Sequence, residues 1–185
     1  DLTCRGFAQE TASESPAPGG GSISAYMGAL AAALGTMVAN LSAHKPGWDD
    51  QWETFSDAAE AGQTHLRELL ALVDEDTEAF NRIMDSFKLP KATEEEKAAR
   101  TQAIQDATLY ATQVPLRTMK ASFAVFPLLK AMAETGNPAS VSDAGVGALA
   151  ARSAVLGAYL NVKINAAGLK DRTVAESLLS EAAGI

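Results

Sequence analysis

The sequence predicts an all-α fold, an antiparallel bundle of about five to six helices. Prolines and glycines fall between long segments of helical periodicity, and no segment alternates β-branched or aromatic residues with polar ones as a strand would. The chain has 185 residues, of which 47% are hydrophobic. It is therefore long enough to bury a core, and we expect one domain over residues 1–185.

The composition excludes several classes of function. The net charge of −8 argues against general binding of nucleic acid or of an anionic membrane, because both need a positive field. One cysteine and two histidines exclude an internal disulfide and a cysteine-based zinc site, and we expect no metal. The low cysteine content fits a reducing, cytoplasmic compartment.

Helix start and stop signals divide the chain into six predicted helices. Thr93 with Glu96, and Ser140 with Asp143, have the spacing of capping boxes. Pro115 and Pro127 fall inside the fourth helix and should kink or break it. The predicted helices cover Leu2 to Ser13, Ser22 or Ser24 to Ala43, Asp49 to Phe87, Thr93 to Glu134, Ser140 to Ala167 and Asp171 to Ala183.

The second predicted helix lies in a segment, Ser15 to Ala43, without Lys, Arg, Asp or Glu. This length could span a bilayer, but alanine, glycine and serine give a weak apolar transfer energy, and no basic flank sets a topology. Small residues recur along one ridge of the helix, which permits close approach of a neighbouring helix. We therefore expect a buried central helix and no membrane span. The ridge comprises Gly28, Ala32, Gly35 and Ala39.

A periodic apolar seam in the third predicted helix places one carboxylate against apolar side chains. The seam comprises Leu66, Leu70, Val73, Thr77, Phe80, Met84 and Phe87. At about 100° per residue, Asp76 lies about 60° from Val73 and edges this seam. Loss of hydration there raises a carboxyl pKa toward the range useful for proton transfer. Asp76 is thus a candidate catalytic residue. The alternatives are a half-exposed boundary residue or a partner to Arg82 or Lys88.

The glycine-rich segment Pro18-Gly19-Gly20-Gly21-Ser22 precedes the second helix. It exposes backbone N–H groups at the positive end of the helix dipole, where anions or polar ring edges bind. It lacks the Gly-Lys-Ser/Thr ending of a phosphate-binding P-loop and follows no strand, so neither nucleotide fingerprint applies. The alternative is a flexible connection between two helices.

Other polar residues are weaker candidates. Asp143 lies in the first turn of a predicted helix, where free N–H groups stabilise a carboxylate. Asn161 lies about 27 Å further along that helix, so the two residues belong to one site only across an interface between chains. Lys163 and Arg152 share another face with Tyr159, either to receive an anionic ligand tail or as a solvated face. Cys4 has the pattern of a core thiol.

Seven motifs, in this order and spacing, resemble the cyclodeaminase domain of formimidoyltransferase-cyclodeaminase and the related methenyltetrahydrofolate cyclohydrolases. They cover nearly the whole chain. They are Pro16-Ala-Pro-Gly-Gly-Gly-Ser-Ile-Ser-Ala25, Gly28-Ala-Leu-Ala-Ala-Ala-Leu-Gly-Thr-Met-Val38, Val73-Asp-Glu-Asp-Thr-Glu-Ala-Phe80, Leu89-Pro-Lys91, Glu94-Glu-Glu-Lys97, Val114-Pro-Leu116 and Gly157-Ala-Tyr-Leu-Asn-Val-Lys-Ile-Asn165.

The resemblance implies an all-α bundle that forms a homodimer with folate sites near the dimer interface. It implies conversion of 5-formimidoyltetrahydrofolate to 5,10-methenyltetrahydrofolate and ammonia, without a cofactor. Asp76 matches a catalytic candidate of the family, and Asp143 matches a second acidic position. The glycine segment, Pro18 to Ser22, matches the motif expected to border the folate. Lys163 is a candidate for its anionic tail. Members often extend beyond the position of Ile185, which implies a further C-terminal helix.

Three functional hypotheses remain open at this point. The first is the cyclodeaminase. The second is a methenyltetrahydrofolate cyclohydrolase, which opens the methenyl ring with water to give 10-formyltetrahydrofolate by the same proton shuttle. The third is a non-catalytic helical assembly module, which would fold and associate without affinity for folate.

Overall fold

The computed structural model describes residues 2–185, which contain seven α-helices. The helices are α1 (Cys4–Thr11), α2 (Gly20–Ala43), α3 (Trp52–Phe87), α4 (Glu94–Phe123), α5 (Phe126–Thr135), α6 (Val141–Ala166) and α7 (Arg172–Ala183). Two short 3₁₀ turns, Asp49–Gln51 and Pro138–Ser140, precede α3 and α6. The predicted all-α bundle is confirmed.

Helices α2, α3, α4 and α6 form a four-helix bundle in which sequence neighbours run antiparallel. Residues at the start of α2 meet the second half of α3, whereas Thr36 near the end of α2 meets Gly62 of α3. Near the end of α3, Ser86 donates a hydrogen bond to the Ala103 carbonyl of α4. α6 closes the ring by packing antiparallel on both α4 and α2.

The predicted central helix is confirmed in α2, whose small-residue ridge is buried. Gly28 lies against Leu69 of α3 and Ser122 of α4, and Gly35 lies against Leu128 of α5. A side chain at either glycine would collide with these neighbours. The absence of bulk on α2 therefore sets the short distance between the helices of the bundle.

The buried face of α3 is rotated from the predicted seam. Leu70 and Met84 of that seam are more than 40% exposed. The positions of α3 that are buried instead carry mostly small side chains. Helix α2 approaches α3 too closely for large side chains at the crossing, so the large side chains of α3 lie on either side of the contact. The buried residues are Phe55, Ala59, Gly62, Leu69, Leu72, Ala79 and Ser86. Asp76 lies between the buried Leu72 and Ala79 along α3 and is itself half-buried.

The predicted helix caps are partly confirmed. Thr93 and Glu96 form a reciprocal capping box at the start of α4. The predicted box at Ser140 is wrong, because Ser140 is the N-cap of α6 but makes no side-chain cap bond. Ser22 and Ser24 are also not caps, since α2 already begins at Gly20 with Gly19 as its N-cap. Ser22 is thereby free to bond elsewhere.

The two prolines of the predicted fourth helix have different effects. Pro127 coincides with a break, and α5 begins at Phe126, so the predicted single helix is two. α4 instead continues through Pro115, which cannot donate a hydrogen bond to the carbonyl of Ala111. The Asn165 side chain of α6 donates to that carbonyl at 2.6 Å. An interhelical bond thus replaces the missing bond within α4.

An outer face of α2 and α6 is apolar and exposed. α6 is buried along one side, yet Leu149, Leu160 and Ile164 on its opposite side are 67%, 65% and 72% exposed. Leu30, Met37 and Leu41 continue the patch on α2. Both helices are long and apolar enough to cross a bilayer by length and composition. We call these six residues the outer face.

The Asn165 bond to α4 predicts a conditional effect on stability. Asn165→Ala leaves the buried Ala111 carbonyl unpaired, so we expect the free energy of unfolding to fall by about 1–2 kcal/mol. In a Pro115→Ala background, the restored N–H satisfies that carbonyl, and the same change should cost less. Urea unfolding of the four proteins in this double-mutant cycle measures the difference. Equal costs in both backgrounds would contradict the assigned role.

Candidate functional site

The candidate site centres on a buried hydrogen bond between α2 and α3. The Ser22 hydroxyl donates to Asp76 Oδ2 at 2.8 Å and lies 3.3 Å from Thr77 Oγ1. Ser22 occupies the first turn of α2 and is fully buried. Its backbone N–H also bonds to the Asp76 carboxyl. The predicted pairing of Asp76 with Arg82 or Lys88 is wrong, because Arg82 contacts Glu78 and Lys88 contacts Asp85. Asp76 is half-buried, as the boundary position predicted.

Burial raises the pKa of the Asp76 carboxyl above its ordinary value. The two hydrogen bonds from Ser22 oppose this shift but do not cancel it. Among residues 2–185, no Lys or Arg forms an ion pair with Asp76. A carboxyl with little water and no cation holds a proton more readily than an exposed one. The environment predicted for Asp76 is therefore present.

Gly21 is required by the close approach of α2 to Asp76. A Cβ at position 21 would lie 2.5 Å from Asp76 Cγ, closer than real Cβ contacts allow. The glycine thus lets the backbone of the first turn of α2 contact the carboxyl. Gly20 and Gly21 are part of helix α2. For these two residues, the alternative of a flexible connection between helices is therefore wrong.

Asn161 lies on the other side of the same helix start. A Cβ at Gly20 would lie 3.3 Å from its Nδ2, and that nitrogen donates to the Gly157 carbonyl at 2.9 Å. The first turn of α2 therefore sits between Asp76 of α3 and Asn161 of α6. Sequence reasoning did not connect Asn161 to the glycine segment. The signal that could have indicated this contact is that Gly157 and Asn161 lie one helical turn apart on α6, a spacing that lets this face pack against the small residues of α2.

Glu75, next to Asp76 in sequence, has the opposite environment. Burial would raise the pKa of Glu75, but hydrogen bonds from Tyr110 and Arg117 outweigh it and lower the pKa. Arg82 stacks over the Tyr110 ring at 4.4 Å. Glu75 thereby joins α3 to α4. Adjacent carboxylates thus face different helices and have pKa values shifted in opposite directions.

A cavity of about 770 Å³ opens beside the Ser22–Asp76 pair, between α1, α2 and α3. We call it the ring cavity. Thr77 belongs both to its wall and to the hydrogen-bonded group around Asp76. This volume is within the usual range for small-molecule sites. The ring cavity is lined by Leu2, Cys4, Phe7, Pro18, Tyr26, Leu70, Val73, Asp74, Thr77 and Glu78.

Two predicted site residues lie away from this group within the chain. Asp143 is in the first turn of α6, about 27 Å along the helix from Asn161. Lys163 is exposed on the side of α6 turned away from α2, with its ammonium 5.4 Å from the Tyr159 ring. The structure brings Pro18 to the ring cavity and Gly21 and Ser22 to Asp76, whereas Gly20 lies against Asn161. The predicted folate contacts of all these residues stay predictions.

Comparison with known proteins identifies the family. The family model described as formiminotransferase-cyclodeaminase matches residues 3–184. The chain belongs to this family. It is 40% identical over 183 residues to a methenyltetrahydrofolate cyclohydrolase of Methylorubrum extorquens, covering 99% of this chain and 88% of that protein.

Members of the formiminotransferase-cyclodeaminase family of different lengths match the chain. The formimidoyltransferase-cyclodeaminase of Mus musculus is 38% identical over 173 residues, which are 94% of this chain but 31% of the mouse protein. The chain thus spans about a third of that relative. The crystal structure of formiminotetrahydrofolate cyclodeaminase from Thermotoga maritima superimposes with a TM-score of 0.85 at 29% identity, covering 99% of this chain and 87% of that one. The predicted resemblance is confirmed.

The contact at Gly21 predicts a large effect of a single methyl group. Gly21→Ala places a Cβ against the Asp76 carboxyl, so the two helices must separate or the carboxyl must move. We expect a loss of about 1–3 kcal/mol in the free energy of unfolding. Gly145→Ala, with no atom within 4 Å of its Cβ, is the matched control and should be neutral or stabilising. Thermal unfolding of both variants tests this, and equal melting temperatures would contradict it.

The raised pKa of Asp76 predicts a pH-dependent cost to stability. The folded state favours the protonated carboxyl, so its contribution is present below the unfolded pKa and is lost as the pH rises through the folded pKa. Asp76→Asn is neutral throughout, so we expect it to be more stable than the wild type at pH 7. The difference should shrink below about pH 4, the ordinary range of an aspartate. A difference that grows on acidification would contradict burial as the cause.

Proposed function

We propose that the protein is a formimidoyltetrahydrofolate cyclodeaminase, which converts 5-formimidoyltetrahydrofolate to 5,10-methenyltetrahydrofolate and ammonia. The observation that carries this proposal is the Asp76 carboxyl, which is partly buried, forms no ion pair within residues 2–185 and is held by Ser22 at the edge of a cavity of ligand size. Membership of the family and the names of its relatives supply the substrate class.

The reaction needs proton transfer at one carbon atom. N10 of the folate attacks the formimidoyl carbon, and a C–N10 bond forms. The amino group then accepts a proton and leaves as ammonia, while N10 loses its own proton. Asp76 is the group that donates and accepts these protons, and its raised pKa suits both roles. The hydrogen bonds from Ser22 hold the carboxyl in one orientation. These steps need no metal and no redox cofactor.

A methenyltetrahydrofolate cyclohydrolase is the second candidate. The 40% identity to a relative of that name, over 88% of the relative's length, favours it. Water would attack the same carbon that ammonia leaves in the first reaction, and the same carboxyl would accept the proton. The two reactions differ in the departing or attacking group and not in the proton shuttle.

The near-ultraviolet absorbance of methenyltetrahydrofolate separates the two candidates. With 5-formimidoyltetrahydrofolate, the cyclodeaminase gives an absorbance rise and releases ammonia. With methenyltetrahydrofolate itself, a cyclohydrolase gives a fall faster than that in buffer. We expect Asp76→Asn to reduce the rate at least 100-fold, since general acid–base groups contribute about 10²–10⁴.

Folate binding by Asp76→Asn is the control for that experiment. Calorimetric titration with 5-formyltetrahydrofolate, a stable substrate analogue, should give a similar affinity for the variant and the wild type. Retained turnover in Asp76→Asn would exclude the carboxyl as the proton shuttle. A wild type without turnover of either substrate and without folate affinity would leave the assembly module as the function.

We also propose that the protein forms a homodimer through the outer face and acts in the cytoplasm. The outer face is a continuous apolar patch on α2 and α6, and monomeric proteins rarely expose one of this extent. A second copy presents the same patch, so a two-fold arrangement covers both at once.

The proposed dimer predicts that one charge in the outer face dissociates it. Leu149→Glu buries a carboxylate in the interface, so we expect the mass to fall from twice 19.2 kDa to 19.2 kDa in size-exclusion chromatography with light scattering. Leu89→Glu, at an exposed leucine outside the face, is the matched control and should remain dimeric. A monomeric wild type would contradict the proposal.

A further inference from the structure

Tyr26 has a fixed position at the wall of the ring cavity. It lies one helical turn after Ser22 on α2, about 6 Å further along the helix axis. The ring packs against Phe7 of α1 with centroids 5.4 Å apart. Its hydroxyl lies 3.5 Å from Cys4 Sγ. Cys4 is thus an exposed thiol and not the core residue expected from sequence.

The exposed part of the predicted seam forms the opposite wall. Leu70, Val73 and Thr77 of α3 line the ring cavity with Tyr26, and Val73 also packs against the core. An apolar stripe in the same cavity as an aromatic ring fits a flat ring system better than a flexible polar chain. The residues that the close α2–α3 crossing turns away from the centre of the bundle therefore shape this surface.

The charge of the ring cavity indicates which end of a folate it accepts. Its wall includes Asp74 and Glu78, and among residues 2–185 no Lys, Arg or His lines it. The glutamate tail of a folate carries two carboxylates and would be repelled there. The reduced pteridine presents an amino group and ring N–H donors, which carboxylates accept.

The position of Asp76 agrees with this orientation. In a folate, N5 belongs to the pteridine, and N10 lies between it and the benzoylglutamate. The reacting carbon therefore lies at the edge of the ring. Thr77 joins the ring cavity to the Ser22–Asp76 pair, so a pteridine in the cavity places this edge near the carboxyl. The tail then extends away from the acidic wall.

We propose that the reduced pteridine of the folate binds in the ring cavity, stacked on Tyr26, with the glutamate tail outside it. This inference rests on the proposed function and adds the orientation of the substrate and a residue that positions it. α1 contributes by holding the Tyr26 ring through Phe7 and Cys4.

Kinetics of Tyr26 variants test the role of the ring. Tyr26→Leu removes the stacking surface, and we expect KM to rise about tenfold while kcat changes less than about threefold. Tyr26→Phe should restore KM to within about twofold, because it keeps the ring and loses only the hydroxyl. Tyr159→Leu, at a half-buried tyrosine of α6 outside the cavity, is the matched control. An unchanged KM in Tyr26→Leu, or a rise that Tyr26→Phe shares, would overturn the inference.

Binding of substrate fragments tests the orientation without turnover. Calorimetry with 6-methyltetrahydropterin and with p-aminobenzoylglutamate separates the two ends of the folate. We expect Tyr26→Leu to weaken binding of the pterin about tenfold and not to change binding of the benzoylglutamate. The opposite pattern would reverse the orientation while leaving the proposed reaction intact. A wild type that binds neither fragment nor 5-formyltetrahydrofolate would overturn both the inference and the proposed function.

Discussion

The hydrogen bond between Ser22 and Asp76 depends on how closely α2 approaches α3, and the rest of the bundle is arranged around that approach. Gly21 allows the backbone of α2 to contact the Asp76 carboxyl. Further along α2, Gly28 allows contact with Leu69 of α3. Because bulk on α2 would separate the helices, the ridge of small residues is a condition for the site as well as for the core. The close packing of α2 against α3 also reduces the hydration of the Asp76 carboxyl.

Two neighbouring carboxylates show how the bundle gives adjacent acids different environments. Glu75 faces α4 and accepts hydrogen bonds from Tyr110 and Arg117, which lower its pKa and hold it charged. Asp76 faces α2, where only Ser22 bonds to it and burial dominates. Environments that shift the pKa values of adjacent acids apart are typical of catalytic sites. The rotation of about 100° between consecutive helical residues is sufficient to produce this difference.

The sequence predicted the helices and the key residues better than it predicted how helices face each other. Proline and glycine positions predicted most helix ends, because their backbone effects are local. The seam on α3 was rotated in the prediction, since periodicity locates apolar residues but does not show that a small-residue partner excludes large ones. The contact of Asn161 with the glycine segment was missed for a similar reason. It depends on the antiparallel placement of α6 beside α2, which no local signal encodes.

The geometry also explains how one family can include relatives named for two reactions. Both reactions form or open the bridge between N5 and N10 at the same carbon, so the proposed proton shuttle, the Ser22–Asp76 pair, would serve either. The choice must then lie with groups that contact the nitrogen or oxygen entering or leaving that carbon. In the proposed orientation, a pteridine in the ring cavity would bring that atom toward the first turn of α2, which lies between Asp76 and Asn161. Free N–H groups there would favour an acceptor such as a water oxygen, whereas a departing amine needs the carboxyl as donor.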